Sequence, residues 1–194
     1  MTPGLDPALA WSITRFGAAR VRARDVLWGL TEVEARTHPP EGGWSVAQCV
    51  DHLVVAGSKM AAKLAAGVAK ARDEGRVAKS DRPARFGWFD KMFIYATEGG
   101  KNGKPPHVRV KHLAAFDPGL GGPASSANAE FGALQDRLIV LAESARGLDL
   151  SGIKVASVLD ERIKVTLGAW FVAIAGHQER HLDQAERARK AIGR

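Results

Sequence analysis

The chain has 194 residues, 45% of them hydrophobic and 25% charged, with 28 Lys and Arg against 21 Asp and Glu for a net charge of +7. This composition excludes a disordered or low-complexity chain and predicts a single domain over residues 1–194 with a real hydrophobic core. The single cysteine, Cys49, excludes an intrachain disulfide framework and a cysteine-rich zinc site, so a metal would have to be held by histidine.

The opening MTPGLDP lacks a basic segment followed by an apolar one, and the longest apolar runs, WFVAIA and LIVLA, are too short to cross a bilayer. A cytoplasmic protein without a membrane partner is expected. Asp6 followed by Pro7 is a helix start: an N-cap side chain, then a proline whose missing N–H costs nothing at the first helical position. Leu9, Ile13, Phe16, Val21 and Leu27 then suggest an amphipathic helix to about Trp28, with Gly29 interrupting it. Thr31 and Glu34 have capping-box spacing before HPPEGG breaks the chain at 38–43.

A second helix is predicted from WSVAQCVDHLVVAGSKMAAKLAAGVAKARDEG, where Ser45 and Gln48 form another capping box and an alanine-rich run propagates it. Between Gly75 and Pro123 the pattern loosens to a short helix in FGWFDKMFIYA, then GGKNGKPP, the basic VRVKHL and FDPGLGGP. A connection this long is expected to pack across the bundle or cover one end of it. A third main helix is predicted over 125–146, with Phe131, Leu134, Leu138 and Leu141 at helical spacing. Thr166 then caps a fourth that runs to Gly193. Four principal helices imply an all-α four-helix bundle with a long crossover.

The basic residues are interspersed with acids, as in RVRARD, KARDEGRVAKSDR and QERHLDQAERARK, and no aromatics alternate with them. Such a pattern describes solvated helix faces and argues against nucleic-acid binding.

Chemistry concentrates in IAGHQERHLDQ, residues 174–184. The apolar stripe Leu167, Trp170, Phe171, Ile174 continues at the same spacing onto His177, His181 and Gln184, so both imidazoles should point inward. Side chains four apart on a helix start about 5–6 Å from each other, close enough for two imidazoles to share one ion. A third ligand is offered by His52 in the second helix, since bundles build metal sites from inward-facing side chains. Three histidines would leave a coordination position open for water or substrate, as a catalytic site requires. Gln48 and Gln184, each about a turn from a proposed ligand, are candidates to orient an imidazole or a water. A pair of ordinary core histidines with satisfied hydrogen bonds is the simpler alternative.

The zincin pattern H-E-x-x-H is not present, because Gln178 follows His177 and Glu179 is rotated about 200° away, at 100° per residue. A metal here would activate water or a thiol rather than rely on an adjacent glutamate base. Cys49 is read as a small buried hydrophobe. Trp44 is expected to anchor the start of the second helix, and Trp170 to belong to the core. His107 and His112 fall in the basic loop with Arg109 and Lys111, which would meet an anionic substrate if that loop closed as a lid. His38, set against two prolines, carries no further signal.

The segment GGWSVAQCVDHL after a Pro/Gly-rich turn, combined with the late LGAWFVAIAGHQERHLDQ, resembles the DinB/YfiT-like superfamily of metal-dependent enzymes, and most closely its DinB-like branch. The resemblance extends from the first helix to the last. It implies a four-helix bundle with an unusual crossover and a divalent ion, nickel or zinc in many members, on the positions matching His52, His177 and His181. Relatives include transferases and isomerases that use a low-molecular-weight thiol such as bacillithiol or mycothiol. A departure occurs at Ala169, where a glutamate would complete a capping box.

Two functions follow as expectations. One is a metal-dependent transferase or hydrolase acting on a small electrophilic substrate with activated water or thiol, in a chain that forms a homodimer. The other is a non-catalytic helical binding or stress-associated module with a structural metal or none.

Overall fold

The computed structural model describes residues 4–80, 82–98, 116–118, 123–158 and 160–194; His107, Arg109, Lys111 and His112, with the lid expected of them, lie outside the described residues. Local sequence chemistry sets the helix starts. α1 (Pro7–Leu27) begins where Asp6 accepts the Ala8 amide at 2.8 Å, and the second oxygen of Asp6 accepts the Ala84 amide at 2.7 Å, tying the crossover to this corner. α1 stops at Trp28, and Gly29 turns the chain at a φ of +75°, open to glycine at little cost. Leu9, Phe16, Ala19, Ala23 and Val26 form its inner face. Val21, expected on that face, is 45% exposed, because five residues beyond Phe16 it is turned about 140° away.

α2 (Glu32–Arg36) and α3 (Val46–Asp73) each start with a complete capping box, Thr31 with Glu34 and Ser45 with Gln48. His38 has a structural use that its sequence setting does not announce, because its Nδ1 donates to the Gly43 carbonyl at 2.7 Å and closes the turn between these helices. α5 (Ala124–Ser144) and α6 (Leu167–Ala191) complete the bundle, with α4 (Trp88–Thr97) set in the crossover.

Pairs between helices give the directions. Arg15 pairs with Glu179, Arg22 with Asp183 and Glu186, and Arg189 donates to the Asp25 and Val26 carbonyls, so α1 and α6 rise together. Cys49 packs with Ala185 while His52 faces His177, which makes α3 antiparallel to α6. Ala47 clusters with Ala124 at one end, and Arg72 reaches the Ser144 carbonyl at the other, so α3 and α5 run parallel. Parallel neighbours need a return over the length of the bundle, and that is why the crossover exists. On its way back α4 packs along α6.

A small hairpin joins α5 to α6, with β1 (Lys154–Ala156) antiparallel to β2 (Lys164–Thr166) and Val155 opposite Val165. The Trp170 indole donates to the Val155 carbonyl at 3.1 Å, pinning the hairpin to α6. Asp90, only 3% exposed, ties the neighbouring corner: one oxygen accepts the Gly87 amide at the head of α4, and the other accepts the Thr166 amide at the head of α6. Phe16, Phe131, Phe171, Leu53, Leu64, Leu138 and Leu167 are fully buried, and burial of such side chains supplies about 1.5–3 kcal/mol each. Among the described residues, no helix is long and apolar enough to cross a membrane.

Candidate metal centre

α3 and α6 bring His52, His177 and His181 to one place, although the first lies more than a hundred residues from the others in sequence. One ring nitrogen from each falls within 4.8 Å of the others, and the Nε2 atoms of His52 and His177 are 3.4 Å apart. Two ligands held at about 2.0–2.1 Å from one ion would be separated by roughly 3–3.5 Å. The His52–His177 pair already has that spacing.

The remaining hydrogen bonds select the ring form. Nδ1 of His52 lies 2.7 Å from the Phe116 carbonyl, which can only accept, so Nδ1 carries the proton and Nε2 presents its lone pair. Nδ1 of His181 is likewise 3.0 Å from Oε1 of Gln184. This is how metal-binding imidazoles are commonly oriented. Ionisation agrees. Burial, reinforced by the charges of His52 and Arg180, pushes His177 down to about 3. Burial also holds His181 well below its ordinary value, with the other two histidines and Arg180 acting in the same direction and the Gln184 bond opposing them. Neutral imidazoles are the metal-binding form, and the three-histidine group can hold a metal ion.

The rings stand at the edge of a cavity of about 320 Å³. Ala56 and Met60 extend its wall from His52 at intervals of four along α3, and Phe93, Ala96 and Thr97 of α4 face them. Phe116, Ser157, Val158 and Trp170 close the rest. α4 reaches this position because Gly176 has no Cβ: one built there would lie 2.9 Å from Cγ and 3.4 Å from Cα of Glu98. Trp44 does more than anchor α3, since its ring centroid lies 4.7 Å from that of His52 and 5.6 Å from that of His181, covering the cluster from one side.

Other candidates are placed elsewhere or used differently. The amide oxygen of Gln48 accepts the Ser45 amide at 3.0 Å, so that side chain is spent on the cap of α3, whereas Gln184 both contacts His181 and lines the cavity. Cys49 is buried with Val26, Val46, Ala185 and Ala188, and burial pushes its thiol up to about 12, far from a reactive thiolate. Glu179 pairs with Arg15 on the α1 side, away from the histidines. Arg180, which sequence reasoning does not single out, lines the cavity as well. Its position three residues after His177 is the signal that could have found it.

Fold and site together define a helical bundle with an inward-facing histidine cluster. Residues 15–185 match the family model of the DinB superfamily, and the chain belongs to that superfamily. No curated protein and no solved structure gives a match.

Proposed function

We propose that the protein is a metal-dependent enzyme in which His52, His177 and His181 hold one divalent ion, nickel or zinc, beside a substrate cavity. The observation that carries this reading is the convergence of the three imidazoles at the edge of a half-open, largely apolar cavity, with Nδ1 of two rings engaged behind them. When bound, such an ion lowers the pKa of water or a thiol and polarises an electrophile. The chain's own residues do the rest. Phe116 and Gln184 keep two lone pairs aimed forward, Trp44 shields the rings, and Phe93, Phe116 and Trp170 exclude bulk water from a small electrophilic substrate.

Activation of a low-molecular-weight thiol for group transfer is one form of the proposal, and activation of water for hydrolysis the other. The buried Cys49 cannot serve as the thiol in either. Three histidine ligands would leave the ion a position for water or substrate, as a catalytic site requires. A cytoplasmic homodimer completes the reading, supported by the exposed Trp88, Met92 and Tyr95 on one side of α4; sedimentation of the purified chain and cell fractionation test those two points.

The first experiment is elemental mass spectrometry of untagged protein, followed by turnover assays with and without added thiol on a panel of small electrophiles. About one equivalent of metal and turnover abolished by chelation are expected. A chain that takes up no nickel or zinc after reconstitution is not this enzyme.

A further inference from the structure

The cavity has two unlike ends. Met60 lies two turns beyond His52 on α3, and Trp170 lies two turns before His177 on α6. Because those helices are antiparallel, both residues fall toward the same end, about 10–12 Å along the helix axes from the imidazoles. Phe93 of α4 joins them there, its ring centroid 4.9 Å from that of Trp170 in an edge-on contact, and Val158 comes from the turn of the hairpin that Trp170 pins. Carbon from four elements thus lines this end.

The polar atoms among these residues are already spent. The Trp170 indole N–H donates to the Val155 carbonyl at 3.1 Å, the Thr97 hydroxyl donates to the Ile94 carbonyl at 2.8 Å, and the buried Ser157 is itself engaged. A hydroxyl, amide or charge placed among these side chains would give up water without gaining a partner from them, whereas a hydrocarbon gains by leaving water. Pockets of this kind orient a ligand through the few polar groups that converge, and here those groups stand at the histidine end.

Building on the metal-enzyme reading, we infer that the substrate is an electrophile with a hydrocarbon arm: the arm, alkyl or aryl and without charged or hydrogen-bonding groups, lies along Met60, Phe93, Val158 and Trp170, and the reactive carbon faces the histidine cluster. Met60 and Val158 are then specificity residues. Methionine is the adaptable part of the wall, since its unbranched thioether can follow arms of different shape.

Calorimetric titration of the full chain with 1-benzylimidazole and 1-(2-hydroxyethyl)imidazole tests the assignment, because the two probes share a head that can occupy a metal position and differ in the arm. Zinc-loaded and EDTA-treated protein are compared. The benzyl compound should bind at least about tenfold more tightly than the hydroxyethyl compound to the zinc-loaded chain, and the order should persist, with weaker binding of both, after EDTA. Met60→Gln and Val158→Thr nearly keep the volume while adding polarity, and each should reduce the preference to about threefold or less. Val140→Thr, at a separate hollow between α3 and α5, should leave it unchanged. Where one cavity variant loses its helical circular dichroism, the other decides. Equal binding of both probes, tighter binding of the hydroxyethyl compound, or no binding of the benzyl compound to either form at millimolar concentration overturns the inference. So does a preference that both cavity variants retain or that Val140→Thr removes. The two readings fail separately: a chain that takes up no metal but keeps a preference sensitive to Met60 and Val158 loses the enzyme proposal and keeps the apolar subsite, whereas one equivalent of metal with no preference between the arms does the reverse.

Discussion

His177 and Gln178 are neighbours on α6 and both face into the protein, but they meet different surroundings. The histidine stands at a cavity with two other imidazoles, two of the three rings being oriented by hydrogen bonds to Phe116 and Gln184. Gln178 is 1% exposed, and neither atom of its amide has a hydrogen-bond partner among the described residues; Gln135 on α5 is in the same condition. An uncompensated buried amide costs about 1–3 kcal/mol. The histidines and these two glutamines are therefore inward-facing polar groups of two kinds, one converging on a common point and the other carried inside the core at a loss, while buried groups such as Asp90 serve local caps. The difference teaches that inward-facing polarity alone does not mark a site. Convergence and orientation do.

The comparison breaks most directly at the ligands. His52→Ala should reduce bound metal from about one equivalent to near zero, with affinity falling more than about 100-fold, while Gln178→Met leaves the stoichiometry unchanged. Competition titration with a chromophoric chelator measures both, and retention of tight binding by His52→Ala would remove the cluster as the site. A smaller effect is expected one layer out. Gln184→Ala should weaken metal binding about 10-fold, since it releases Nδ1 of His181 without removing a ligand.

Acid sharpens the contrast in a different way, because only the histidines titrate. Metal-free native protein keeps His177 neutral down to about 3, and His181 shifts in the same direction, while the unfolded chain takes up protons near the ordinary value of 6.5. The unfolded state thus binds more protons below that pH. Their contribution is fully present above about 6.5 and is lost as pH falls toward 3, by up to about 1.4 kcal/mol per pH unit for each histidine. Urea denaturation at several pH values with EDTA present should show this slope, and His177→Gln should flatten it. Identical slopes would mean that the ring is not held neutral. The smallest expected effect belongs to the glutamines. Gln135→Met should stabilise the fold by about 1 kcal/mol by removing an unpaired amide while nearly keeping the volume. Destabilisation would show that the amide has a partner in solution.

Much of the frame is legible in the sequence because it is local. Asp6 with Pro7, the two capping boxes and Thr166 act over three or four residues, and each marks the helix start observed. The stripe from Leu167 to Ile174 leads to His177 and His181 because both the core and the site use the same helical period. The hairpin is not legible, since three residues per strand are too few for a period to show, and its register is held by Trp170 from another element. Gln48 misleads for a related reason: its spacing suits a helix cap and an imidazole-orienting position equally, and the amide oxygen goes to Ser45.

The sequence by itself determined where the helices begin, which faces are apolar, that a metal would fall to histidine, and that α6 carries two of them one turn apart. Only the tertiary structure decided that Phe116 orients His52, that Gly176 lets α4 approach and wall the cavity, that Trp44 covers the rings, and that Arg180 joins them. Those outcomes depend on contacts between segments distant along the chain, and local propensity contains no information about which distant backbone will arrive at a given face.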